Sequence, residues 1–180
     1  AIDYPMASIR FHKFAIEGMR DIQKQIKDSK AFYFPYVEES KGVGDKLLFD
    51  LAKDAAVVIT DDYPTYFVPQ MTAEAKGNIN TTYELVDSNG ILPIRIAEKE
   101  YVRAHDFRRF MHKNIEDFLV EFPVEKPLDY LNIQFDPKLL ESMTQKYKLE
   151  DFNEINIQKF LDNLGVDKSV KISEIVGGYD

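Results

Sequence analysis

Apolar side chains recur along the first ninety residues in blocks whose period changes. Ile9, Phe14, Ala15, Met19, Ile22 and Ile26 fall near a 3.6-residue repeat, the spacing that gathers apolar groups on one helical face, so a helix is predicted from Pro5 to about Lys27. A polar break at Asp28, Ser29 and Lys30 leads into residues 31–37, AFYFPYV. That run is short and dense in apolar and aromatic groups, which predicts a buried first strand. Gly42 and Gly44 punctuate a loop, and Leu47, Leu48, Leu51 and Ala52 supply a second helical stripe ending near Asp54. Residues 55–60, AAVVIT, form the continuous run expected of a parallel strand covered on both faces. Asp61, Asp62 and Tyr63 follow at its carboxyl end. Pro64 then opens a helix to about Lys76, since proline tolerates a first helical turn, and Gly77 and Asn78 close it. Residues 82–86 predict a further strand before the turn Asp87, Ser88, Asn89 and Gly90.

The order helix, strand, helix, strand, helix, strand implies an α/β fold with crossover helices on a mostly parallel sheet. The expected architecture is a Rossmann-like or flavodoxin-like doubly wound sheet. Such sheets carry five or six strands, so this chain is expected to lack one or two at its N-terminus. Beyond Ile91 the pattern turns helical: Phe107, Phe110, Met111, Phe118 and Leu119 form a stripe within residues 104–122. Pro123, Pro127 and Pro137 interrupt the remainder of the chain, and residues 139–147 and 155–164 predict short helices in an acidic tail. The expected division is an α/β domain over 1–122 and a helical connector over 123–180.

Composition narrows the class. With 44% hydrophobic and 30% charged residues the chain should fold, and 180 residues suit one domain with a core. No apolar run approaches the ~20 residues that cross a bilayer, so no membrane partner is expected, and cytoplasm is the default location. There is no cysteine, which excludes disulfides and thiolate metal sites. A net charge of −8 argues against a main nucleic-acid contact, because phosphate neutralisation requires clustered Lys and Arg.

The candidate chemistry gathers where strands end. Open α/β sheets place ligands beyond the carboxyl edge, and Asp61 and Asp62 stand there. Paired carboxylates can hold a metal or share a proton; the plainer alternative is that one caps the next helix while the other is solvated. Asp87, Ser88 and Asn89 come to the same edge if the strands are parallel. A small-molecule cleft flanked by Tyr63, Tyr66 and Asn89 would offer aromatic faces for stacking and an amide for orientation, against an Asx-turn beside an aromatic core edge. Gly42-Val43-Gly44 lacks the flanking pattern of a phosphate loop and reads as a turn. His12, His105 and His112 lack metal-ligand spacing. Arg103, Arg108, Arg109 and Lys113 form a small basic patch, read as a solvated face, an internal salt-bridge surface or a phosphate contact. No Ser, His and acid set suggests nucleophilic catalysis.

Three stretches taken together are more specific: YPMASIRFHKFAIEGMRDIQ over 4–23, VVITDDYPTYFVP over 57–69, and YELVDSNGILPIRIAEKEYVRAHDFRR over 83–109. In order and spacing they resemble the N-terminal α/β domain of DNA photolyases and cryptochromes, nearest to the class II deoxyribodipyrimidine photolyases. LGVDKSVKISEIVGG over 164–178 is similar to the linker that leads into that family's helical domain. The resemblance implies a parent enzyme that binds FAD in a C-terminal helical domain, contacts DNA through that domain, and splits pyrimidine dimers with light. It implies that the present chain is not itself catalytic and can hold an antenna chromophore, a deazaflavin or a folate, with Asp61, Asp62, Tyr63, Tyr66, Asp87 and Asn89 as candidate lining. Its partners would be the FAD domain or the missing N-terminal segment. The alternative is a flavodoxin-like nucleotide-binding or interaction module without light chemistry.

Overall fold

A computed structural model of the chain describes Tyr4 and residues 6–120, 122–132 and 136–179; Pro5, the expected start of the first helix, lies outside them. The described elements are α1 (Ile9–Gln25), α2 (Leu47–Ala52), β1 (Val57–Asp61), α3 (Val68–Asn78), β2 (Thr82–Val86), α4 (Ala104–Asn114), α5 (Pro137–Lys146) and α6 (Ile157–Asn163). Short 3-10 turns stand at Ile94–Ile96, Ile115–Phe118 and Pro127–Tyr130. The chain divides into two compact units, Ala1–Leu47 with Lys126–Asp180, and Leu48–Glu125.

The first unit is built on α1. Ile9 and Ile16 on its apolar face join Phe152, Ile157, Leu161, Leu164 and Val166 in one buried cluster. Phe152 and Leu161 are 0% exposed, and truncating such a leucine to alanine costs about 2–5 kcal/mol. On the polar side of α1, Arg20 donates to the carbonyls of Phe152 and Ile155, while the Phe152 amide donates to Gln23 Oε1 at 3.1 Å. The turn that delivers Phe152 is therefore held by hydrogen bonds as well as by burial. Two caps fix the neighbouring helix starts: Asp136 accepts from the Lys138 amide and Asn156 from the Lys159 amide, each satisfying an orphan donor of the first turn. Buried Glu150 is compensated by Lys148, 2.7 Å away, and the hydrogen bonds that the Lys148 ammonium donates to Glu150 and Glu39 hold it above its ordinary range. Residues expected to act as a connector thus supply most of this unit's core, where α1 packs on α6.

The expected strand over 31–37 does not form; these residues are irregular. Pro35 has no N–H to give a ladder, and its carbonyl instead accepts from the Glu150 amide at 2.9 Å. Tyr36 packs edge-on against Tyr147, ring centroids 5.9 Å apart. Isolated bonds and ring contacts therefore replace strand pairing.

The second unit contains the sheet. β1 and β2 pair in parallel with Val57 opposite Thr82 and Asp61 opposite Val86, and α3 makes the connection between them. The chain is accordingly a mixed α/β protein whose named strands, among the described residues, form a two-stranded parallel sheet. β1 starts two residues later than expected, because the carbonyls of Ala55 and Ala56 accept from the Thr81 hydroxyl, both at 3.0 Å. Nor is it covered on both faces: Val57 is 40% and Ile59 60% exposed. Among the described residues, the buried apolar side chains of this unit are Ala52 and Ala75.

Two helix boundaries also differ. α3 opens at Val68 with Pro69 in its first turn, not at Pro64, because Tyr66 takes a left-handed backbone (φ 58°) that a helix cannot include. α4 ends at Asn114 and tightens into a 3-10 turn before Leu119, so the expected continuous helix over 104–122 does not form. The Asn114 side chain donates back to the Phe110 carbonyl at 2.7 Å, using a helix-terminal acceptor locally.

The closing segment of the first unit lies against α1. Gly177 and Tyr179 amides donate to Glu17 and Asp21, each at 3.0 Å, and a Cβ placed on Gly177 would stand 1.9 Å from the Phe14 carbonyl oxygen. Gly177→Ala is therefore expected to lower stability by about 1–3 kcal/mol, the usual cost of forced overpacking. Gly165→Ala, where an added Cβ meets nothing within 4 Å, serves as the control. Urea melts of the two variants check this; equal midpoints would contradict the close approach.

Candidate functional site

The parallel register brings the ends of β1 and β2 to one edge. The ladder extends one bond past the strands, since the Asp62 amide donates to the Val86 carbonyl at 2.8 Å. The loops beyond the strands are then tied by side-chain hydrogen bonds. Ser88 Oγ donates to Asp61 Oδ1 at 2.6 Å, and Asn89 Nδ2 donates to the Asp62 carbonyl at 2.8 Å. Asp61, Asp62, Ser88 and Asn89 are thus brought together, as the parallel reading requires.

Asp87 organises the second loop. Its Oδ1 accepts from the backbone and side-chain nitrogens of Asn89, and its Oδ2 accepts from the Ile94 amide at 2.7 Å. The first pair is the Asx-turn expected of such a sequence. The bond to Ile94 is a further constraint, closing the loop from Asp87 to Ile94 on the carboxylate that begins it.

Arg95 completes the rim and was not distinguished by sequence reasoning. Its Nε and Nη2 both donate to the Asp62 carboxylate, the second at 2.8 Å, a fork-to-fork pair of the strong kind. The available signal was Leu92-Pro93, which starts the short turn Ile94–Ile96 and returns the next basic residue to the carboxylates. These bonds set the ionisation. The Arg95 guanidinium, by hydrogen bond and then by charge, holds the Asp62 carboxyl below the usual aspartate range. Hydrogen bonds from Asn89 and the Ile94 amide do the same for Asp87, and Arg95 is raised by its bond to Asp62.

Several expectations are corrected. Neither Asp61 nor Asp62 caps α3, whose start at Val68 lies beyond the turn at Tyr66. Asp62 is committed to Arg95, and among the described residues no three His, Asp or Glu groups are placed to hold a metal. The basic residues of α4 form no internal salt-bridge surface, since Arg103, Arg108, Arg109 and Lys113 make no ion pair among the described residues.

Tyr63 and Tyr66 stand on the loop after β1 with exposed rings, Tyr66 at 83%, and neither makes an aromatic contact among the described residues. A cleft of about 400 Å³ in the same unit lies at the opposite, amino edge of the sheet, lined by Phe49, Lys53, Asn78 and Thr81 among others. At the carboxyl edge Asp62 is paired with Arg95, and Asp61 and Asp87 accept hydrogen bonds from neutral donors. The edge therefore carries a hydrogen-bonded polar rim, and the loop after β1 carries two exposed aromatic rings.

No family model matches the chain. Over 151 residues, 83% of its length, the chain is 25% identical to the deoxyribodipyrimidine photo-lyase of Methanothermobacter thermautotrophicus. It is similar to a photolyase. The matched residues make up 33% of that protein, so the chain spans about a third of the length of this curated relative.

Because Asp62 and Asp87 are depressed in the folded state, their contribution to stability is complete above about pH 4, the ordinary aspartate range, and is lost as pH falls through their lower folded values. Arg95→Met should move the Asp62 midpoint up toward that range while Asp87, held mainly by Asn89 and Ile94, moves less. Carboxyl carbon shifts followed by NMR across the acid titration check this; an unchanged Asp62 midpoint in the variant would refute the pairing.

Proposed function

We propose that the chain is the antenna-type α/β domain of a deoxyribodipyrimidine photolyase-like protein of the class II branch. The observation that carries the reading is the likeness to a photolyase over 83% of the chain, joined to a β1–α3–β2 parallel unit with a polar carboxyl edge. In this reading the unit is part of a larger doubly wound parallel sheet, whose crossover helices cover the apolar positions Val57 and Ile59. The parent protein is cytoplasmic, carries FAD in a separate helical domain, binds DNA through that domain, and repairs pyrimidine dimers with light.

The role of this chain is to hold a flat conjugated antenna, a deazaflavin or a folate. Tyr63 and Tyr66 offer exposed ring faces for stacking. Asn89 spends its Nδ2 on Asp62 and Asp87 and presents its Oδ1 as an acceptor, while the Asp62–Arg95 pair keeps the rim from deforming. When bound, the antenna supplies light absorption and passes excitation onward; the residues supply only position. That division of labour fits a site whose side-chain hydrogen bonds are already made.

The test uses the whole protein that carries this chain, reconstituted with FAD and with either antenna. The expected result is light-dependent loss of cyclobutane dimers from an oligonucleotide, with an excitation spectrum that includes the antenna band. Tyr66→Ala should weaken antenna binding by about tenfold, the loss of one stacking contact of about 1–1.5 kcal/mol, and reduce the antenna band without abolishing repair driven by direct FAD excitation. A reconstituted protein that leaves dimers intact would contradict the enzyme reading. Antenna binding indifferent to Tyr66, Tyr63 and Asn89 would contradict the location.

A further inference from the structure

The cleft at the amino edge of the sheet takes no part in the carboxyl-edge site, and its lining residues all belong to the unit that contains the sheet. Its volume of about 400 Å³ falls at the small end of the range for ligand pockets. Phe49 and Ile79 supply apolar lining, while Lys53, Asn78, Asn80 and Thr81 supply polar lining. Apolar walls with a few polar groups are the usual composition of a small-molecule pocket.

The hydrogen-bonding capacity left on the polar four defines what fits. Asn78 spends its Nδ2 on the Glu74 carbonyl at 2.8 Å, which leaves Oδ1 as an acceptor. Thr81 gives its proton to the carbonyls of Ala55 and Ala56, both at 3.0 Å, and keeps its acceptor lone pairs. The Asn80 side chain makes no hydrogen bond among the described residues, so it retains a donor and an acceptor. Lys53 gives one N–H to Asp50 Oδ1 at 2.7 Å and holds two more. The cleft therefore offers donors and acceptors together.

Charge decides against an anion. Among the described residues that line the cleft, Lys53 alone is charged, and Asp50, 5% exposed, already answers it. Drawing that ammonium onto a phosphate would weaken its bond to a buried carboxylate, which is costly. Helix α3 also finishes at this edge, with the carbonyl, negative end of its dipole. We propose that the amino-edge cleft binds a neutral planar nitrogen heterocycle of the nucleobase class, as the free base or the nucleoside. A nucleobase edge carries N–H donors and acceptors side by side, an arrangement that an asparagine amide meets with two hydrogen bonds. Asn80 supplies that pair, Asn78 Oδ1 and Thr81 Oγ1 accept from the remaining N–H or hydroxyl groups, and Phe49 and Ile79 cover the ring. The site shares no residue with the antenna site and does not depend on it.

Nitrogen–proton NMR of the full chain, titrated separately with adenosine, uridine and AMP, tests the proposal. The expected result is saturable shifts at residues 49–55 and 78–81 with at least one of the two nucleosides, and an affinity for AMP no tighter than for adenosine. N80A, a change at an exposed position, should weaken nucleoside binding about tenfold, the loss of two neutral hydrogen bonds. No saturable shift up to the solubility limit of both nucleosides would overturn the proposal. So would AMP binding tenfold tighter than adenosine, the mark of a phosphate site, or shifts centred on Asp62, Tyr66 and Asn89 instead. Equal affinity of wild type and N80A would contradict the recognition assigned to Asn80, and the proposal with it.

Discussion

Two strands that run in the same direction finish at the same end, and the register that sets Asp61 opposite Val86 brings the loops after them within hydrogen-bonding reach. A slip of one residue would turn every side chain to the other face and separate Ser88 from Asp61. An antiparallel pair would carry Asp87 to the far end of the sheet. The polar rim is thus a consequence of the ladder, and α3, which allows the chain to return and run the same way, is part of what builds it.

Given that placement, electrostatics decides what the rim can be. Four acidic or amide side chains at one exposed edge would repel or wander if left to solvent. Here Arg95 neutralises Asp62 through two hydrogen bonds, and Asp87 is occupied by three donors. These bonds hold the Asp62 and Asp87 carboxyls below the usual aspartate range. Tyr63 and Tyr66, on the loop after β1, keep their rings exposed.

The legibility of this arrangement in the sequence was uneven, for identifiable reasons. β2 was read to the residue, because a five-residue run followed by Asp-Ser-Asn-Gly leaves little freedom. The meeting of Asp61, Asp62, Ser88 and Asn89 was also readable, since it follows from parallel strands alone. Arg95 was not, because a pair thirty-three residues apart depends on the turn after Pro93, which has no periodic signature. Residues 31–37 misled because aromatic density is common to strands and to irregular segments packed on a core; the missing donor at Pro35 was the local sign against a ladder. The start of α3 misled for a similar reason, as two prolines competed and the left-handed Tyr66 settled the matter in favour of the second. The acidic tail hid a core because Phe152, Ile157 and Leu161 are spaced by a turn and a cap rather than by one continuous helix.

The most direct measurement of the central claim is the set of backbone NMR contacts across the sheet. Parallel pairing in the register described requires contacts between Val58 and Tyr83 and between Thr60 and Leu85, in the same order along both strands. Contacts linking Val58 with Leu85 and Thr60 with Tyr83 would mean strands of opposite sense, and with them the shared edge and its polar rim would be lost.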